Sequence, residues 1–171
     1  MVTSSWGVII PNTFDGISAI DASAPIINYA ENLLMLAESH LRMGETSTAL
    51  DVLNNYRAFL STQFSSSNSQ YDSYFLSDFE NGGIENLDGL STNNALLREI
   101  LEERYISLFN TTENFSDTRR TYNETAVKVQ VAPNTGSELP QRFLYAQTEV
   151  DRNSNVPSPI PGFFEPTPVN Q

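Results

Sequence analysis

The run at residues 94–121, NALLREILEERYISLFNTTENFSDTRRT, constrains the fold more than any other stretch. Leu97, Ile100, Leu101, Tyr105, Leu108 and Phe109 recur at helical spacing, so one apolar stripe has to be buried. Arg98, Glu99, Glu102 and Glu103 lie mostly off that stripe, and Glu102 and Glu103 read as lying beside arginines or on a solvated face. Thr92 and Asn93 are the expected caps, because their side-chain oxygens can accept the free N–H groups of a first turn. The helix is expected to stop at residues 110–112, Asn-Thr-Thr, which compete for backbone hydrogen bonds and favour turns. Beyond it Glu113, Phe115, Asp117, Arg119 and Arg120 crowd charge into a few positions. With Arg104 on the helix, the four charged members of that group read as a structural clamp, since arginine forks hold carboxylates at two points. A clamp for an anion or substrate is the sharper alternative and requires a cavity.

A second pair of helices is expected at residues 26–60. Ile27, Ala30, Leu33, Leu34, Ala37 and Leu41 line one face, and Gly44 stops the helix where a left-handed backbone is needed. A second stripe, Ala49, Leu50, Leu53, Tyr56 and Leu60, restarts with Thr48 and Asp51 in capping-box spacing. Two helices joined by so few residues fold back as a hairpin. Ala37, Gly44 and Ala49 resemble the close-packing positions of a tetratricopeptide repeat. Such a unit buries its faces against neighbouring repeats, so a lone hairpin implies a neighbour outside it. His40, the single histidine, reads as a surface residue, and Arg42 and Arg57 as solvated helix ends.

Residues 61–91 lose the helical period and are expected as a long loop. Tyr71, Tyr74 and Phe75 lie there among carboxylates and amides, a combination that suits sugar rings and hydroxyls. The plainer reading is a short amphipathic turn in which Tyr74, Phe75 and Phe79 cover the core. Trp6 is a further stacking candidate, or a loop anchor, and residues 7–10 hint at a strand. Residues 122–171 are expected as a mostly extended tail, with a hint of strand at Ala126 to Val131. The class is therefore mainly α: a tetratricopeptide-like hairpin plus one long helix, with long irregular loops and little β. The chain reads as a single region divided at residues 26–60, 61–91, 92–121 and 122–171.

A net charge of −12 argues against nucleic acid and anionic lipid surfaces, which need clustered Lys and Arg. The chain has no cysteine, hence no disulfide, thiolate nucleophile or thiolate metal site. It carries no phosphate loop, Ser-His-Asp set or metal-ligand spacing, so neither an enzyme nor a cofactor or metal site is expected.

Three stretches in this order resemble the SusD/RagB family of nutrient-binding lipoproteins. The hairpin at residues 29–56 resembles a late repeat unit of that family. Glu113 to Thr121, E-x-F-x-D-x-R-R-T, resembles its E-A-W-x-D-W-R-R-T stretch, with Phe115 and Thr118 in place of the two tryptophans. Residues 139–153, LPQRFLYAQTEVDRN, resemble its closing P-x-R-x-x-Y-P-x-x-E-x-x-x-N, with Ala146 replacing a proline. The resemblance implies the C-terminal portion of a protein on the bacterial outer-membrane surface. It implies non-catalytic capture of an oligosaccharide, or a peptide, as a lid on a SusC-like TonB-dependent transporter. The competing expectation is a tetratricopeptide-like scaffold for protein–protein interaction.

Overall fold

A computed structural model describes residues 26–64, 69–109, 111–134 and 136–167. The described part is mainly α-helical, with no strand among these residues. Trp6 and the strand hinted at residues 7–10 lie outside the described residues.

Helix α1 spans Tyr29–Arg42, and Asn28 caps it by accepting the Glu31 N–H through Oδ1 at 2.8 Å. Its end is set by Gly44, whose φ of +84° is the left-handed conformation that an L side chain resists. The Gly44 N–H reaches the Leu41 carbonyl and the Glu45 N–H reaches that of His40, at 3.0 and 2.9 Å. These two bonds satisfy carbonyls that the helix end leaves without partners. Helix α2, Thr46–Phe64, follows at once and packs back along α1, with Ala37 and Ala49 fully buried. It starts two residues before the Thr48 expected as its cap and runs four beyond Leu60.

Helix α3, Thr92–Ser107, closes the core against α1, and Leu34, Leu53, Leu96 and Ile100 have no exposed surface. Its cap is Ser91, whose Oγ accepts the Asn94 N–H at 3.3 Å, not Thr92 or Asn93. The helix ends at Ser107; Leu108, its C-cap, is buried while Phe109 is 71% exposed. Ile27, placed on the buried face of α1 by spacing, precedes the first helical turn and points to solvent.

The stretch expected as loop is only partly so. Its first four residues belong to α2, and two single 3₁₀ turns follow at Ser69–Tyr71 and Leu76–Phe79. Phe79 is fully buried, whereas Phe75 is 71% exposed and covers nothing. The buried Asn86 organises the rest. Its Nδ2 donates to the Phe79 and Leu90 carbonyls at 2.9 and 2.7 Å, and its Oδ1 accepts the Leu90 N–H at 2.7 Å. A buried amide satisfied on both ends substitutes for the missing ladder of regular structure. Gly83 packs so closely that a Cβ would meet the Asp78 carbonyl oxygen at 2.3 Å.

The segment after α3 is helical as well, α4 at Thr112–Arg120. A one-and-a-half-turn helix, α5 at Gln147–Arg152, interrupts the expected extended tail. The strand hinted at Ala126 to Val131 is instead a turn, with the Val127 and Lys128 N–H groups both on the Glu124 carbonyl, and Val127 buried in the core. Residues 163–166 fold back on 141–142. The Gln141 N–H meets the Phe163 carbonyl, and the Arg142 guanidinium meets those of Glu165 and Pro166.

Candidate functional site

The end of α2 and the last turns of α3 leave an open cavity of about 730 Å³, closed on one side by the Gln70–Tyr74 segment. Helical spacing turns Tyr56, Phe59, Leu60, Gln63 and Phe64 towards it from α2, and Glu103, Ile106 and Ser107 from α3. Tyr29 enters from the start of α1 and meets Phe59 edge-on, with ring centres 5.1 Å apart. Phe64 and Tyr71 form a second ring pair at 6.3 Å. Tyr29 and Phe64 keep more than half of their surface in solvent, so flat apolar faces are offered to a ligand.

Arg57 holds the wall in place. Its Nε donates to the Asp72 carbonyl at 2.7 Å and its Nη2 to the Gln70 carbonyl at 2.8 Å. Its guanidinium lies 3.8 Å from the centre of the Tyr74 ring, a cation–π contact. Read from sequence as a solvated helix end, Arg57 is instead buried, because the loop delivers carbonyls to it. Asn54 completes the attachment, accepting the Tyr74 N–H at 2.8 Å and donating to its carbonyl at 3.0 Å.

Two carboxylates one turn apart on α3 receive the tyrosine hydroxyls. Tyr56 donates to Glu103 at 3.2 Å and Tyr74 to Glu99 at 2.9 Å. Both glutamates are half-buried. Burial pushes the Glu99 carboxyl up to about 7, with the charge of Glu85 adding to it against the Tyr74 hydrogen bond. Burial also raises Glu103, against the pull of Tyr56 and Arg57. Both tyrosine hydroxyls are pushed up from the usual phenol range, first by burial and then by the neighbouring carboxylate, and stay protonated donors.

Of the aromatic candidates read from sequence, Tyr71 and Tyr74 line this cavity and Phe75 does not. Tyr29, Phe59, Phe64, Arg57 and Glu103 were not singled out as ligand contacts; the aromatics flanking Leu60 on an unbroken helical period were the available signal.

A charged cluster lies apart from the cavity, between α1, α3 and α4. Arg104 Nε donates to Asp117 at 2.6 Å and Arg120 Nε to the same carboxylate at 2.7 Å. Arg120 also grips Glu38 on α1 with both terminal nitrogens, at 2.5 and 2.6 Å. Arg42 joins Glu38 to Glu124, at 2.7 and 2.9 Å. Burial alone would raise the Glu38 carboxyl, but the Arg120 and Arg42 contacts outweigh it and hold it below the usual range. Glu113 and Arg119 stand outside this network. Glu113 meets the Thr112 hydroxyl, at 3.4 Å, and Arg119 donates to Thr167 and lies against Phe115. Glu38 and Arg42 belong to it without having been included; their i,i+4 spacing beside buried Ala37 and Leu41 was the legible sign. His40 pairs with Glu45 at 2.5 Å across the α1–α2 turn. Among the described residues no group of three or more His, Asp or Glu could hold a metal ion, and no helix is long and apolar enough to cross a membrane.

A family model, described as the SusD family, matches residues 10–162. No curated protein and no solved structure matches the chain.

Proposed function

The chain belongs to the SusD family, and from that premise we propose that it is a non-catalytic nutrient-binding component that captures oligosaccharide at the bacterial outer-membrane surface. In this reading it hands its ligand to a SusC-like TonB-dependent transporter and corresponds to the C-terminal part of such a binding protein. The cavity between α2, α3 and the Gln70–Tyr74 segment is the observation that carries the reading. The exposed rings of Tyr29 and Phe64 and the half-buried ring of Tyr71 offer stacking faces, and the side chains of Gln63, Gln70, Ser107 and Glu103 offer partners for hydroxyls. Tyr71 and Tyr74 are thereby assigned to the ligand site. Phe75 does not line the cavity, and Trp6 lies outside the described residues. The Arg104–Asp117–Arg120 cluster is assigned to holding the fold, since its donors and acceptors already satisfy one another.

Calorimetric titration of the chain with a panel of oligosaccharides tests this. Binding is expected, and Tyr71→Ala and Phe64→Ala each weaken it by about tenfold, the loss of one stacking face. Unchanged affinity in both variants, with circular dichroism unaltered, removes the cavity from the site. The α1–α2 hairpin supports a second reading, a tetratricopeptide-like scaffold for a protein partner. That reading is favoured if peptides bind at the cavity and no glycan does.

A further inference from the structure

On the premise that this cavity takes oligosaccharide, we propose that it selects neutral glycans and rejects those bearing uronate or sulfate groups. The argument begins with the chain's cations. There are nine Lys and Arg residues, and Arg57 is the single one that lines the cavity. Residues 1–25 and 65–68 contain neither Lys nor Arg.

Arg57 is buried in the wall of the cavity and is already engaged there. Its Nε and Nη2 are held by the Asp72 and Gln70 carbonyls at 2.7 and 2.8 Å, and its Nη1 faces Glu103 Oε1 at 3.5 Å. One face of the guanidinium is covered by the Tyr74 ring, and the residue is 6% exposed. Two-point recognition of a carboxylate or sulfate needs a free arginine edge, and this arginine spends its edges on the wall of the site. A ligand anion would therefore lose water without gaining a cation to pair with.

The remaining charge in the cavity is of the wrong sign for an acidic sugar. Glu103 lines it directly. Behind the Tyr74–Glu99 contact lies a second hollow of about 420 Å³, where Glu85, Asp88, Glu99 and Glu102 face Arg98 and Lys128. Arg98 is itself committed to Asp88 at 2.5 Å. The whole chain, at −12, repels polyanions before contact. Hydroxyls meet none of these penalties, because the amides, the Ser107 hydroxyl and Glu103 can pair with them.

The test uses the full chain on a glycan array carrying neutral, uronate-bearing and sulfated forms of the same backbones. Calorimetry then follows on the best binder and its charged counterpart. The neutral form is expected to bind at least tenfold more tightly. Glu103→Gln is expected to shrink that ratio. Raising NaCl from about 0.05 M to about 0.5 M is expected to do the same in the unmodified chain, by screening the repulsion. Equal or tighter binding of the acidic form overturns the charge selection and leaves glycan capture standing. A ratio that ignores both salt and Glu103→Gln also overturns it. Absence of binding to every member, neutral and acidic, removes the oligosaccharide reading itself and this inference with it.

Discussion

Glu99 and Glu38 show how the same side chain acquires opposite behaviour from its surroundings. Glu99 sits among Glu85, Glu102 and Glu103 with a tyrosine hydroxyl as its hydrogen-bond donor, and its carboxyl is raised to about 7 from an ordinary value near 4.5. Between those values the folded chain keeps a proton that the unfolded chain releases, so stability falls as pH rises and the penalty is complete above 7. Glu99→Gln removes the charge and keeps an acceptor for Tyr74. It is expected to match the parent below pH 4.5 and to exceed it by roughly 3 kcal/mol at pH 8, read from urea melts across that range. Glu38 works the other way. Its carboxyl is lowered by Arg120 and Arg42, so its contribution is full above the ordinary glutamate value and is lost as the solution becomes more acid. The i,i+4 partner of Glu38 was legible in the sequence, but the surroundings of Glu99 were not. Glu99 and Glu103 follow one another by a turn on a helix whose apolar stripe lies elsewhere, and their burial comes from tyrosines 25 and 47 residues away.

At the scale of elements, the α1–α2 hairpin was legible because its information is local: two apolar stripes and a glycine between them. Gly44 has no atom near the place a Cβ would occupy, so Gly44→Ala tests the backbone alone. It is expected to cost about 1–2 kcal/mol in a thermal melt, the penalty of a left-handed L residue, and to leave the circular dichroism spectrum unchanged. Helix α4 was not legible, for a physical reason. Thr112–Arg120 carries no apolar stripe, and its single buried side chain is Asp117. What makes the segment a helix is charge supplied by Arg104 and by Glu38, the latter 82 residues from Arg120 in sequence. The cavity was half legible. Tyr71 and Tyr74 announced themselves as aromatics in a polar stretch, whereas Arg57 and Glu103 became part of the site only when the loop folded over them.

For the whole molecule, packing divides into a part held by hydrophobic burial and a part held by ions. Leu34, Leu53, Phe79, Leu96 and Ile100 form the first part, fully withdrawn from water. The second joins α1, α3 and α4 through Glu38, Asp117, Arg42, Arg104 and Arg120, with Glu124 at its edge. Glu38→Ala takes one carboxylate partner from three guanidinium groups and is expected to cost about 3 kcal/mol, the usual result of removing one partner of a buried ion pair. For a chain of this size that corresponds to a fall of roughly 10 °C in melting temperature, measured by scanning calorimetry.

Because residues 112–120 are moored by charge and the helical hairpin by oil-like contacts, the two should let go of their amide protons on different schedules. Deuterium should enter the short basic-tipped helix first, and added salt should hasten that entry while barely touching the paired helices. A protein with such a seam can lose one edge and refasten it without ever unfolding its centre.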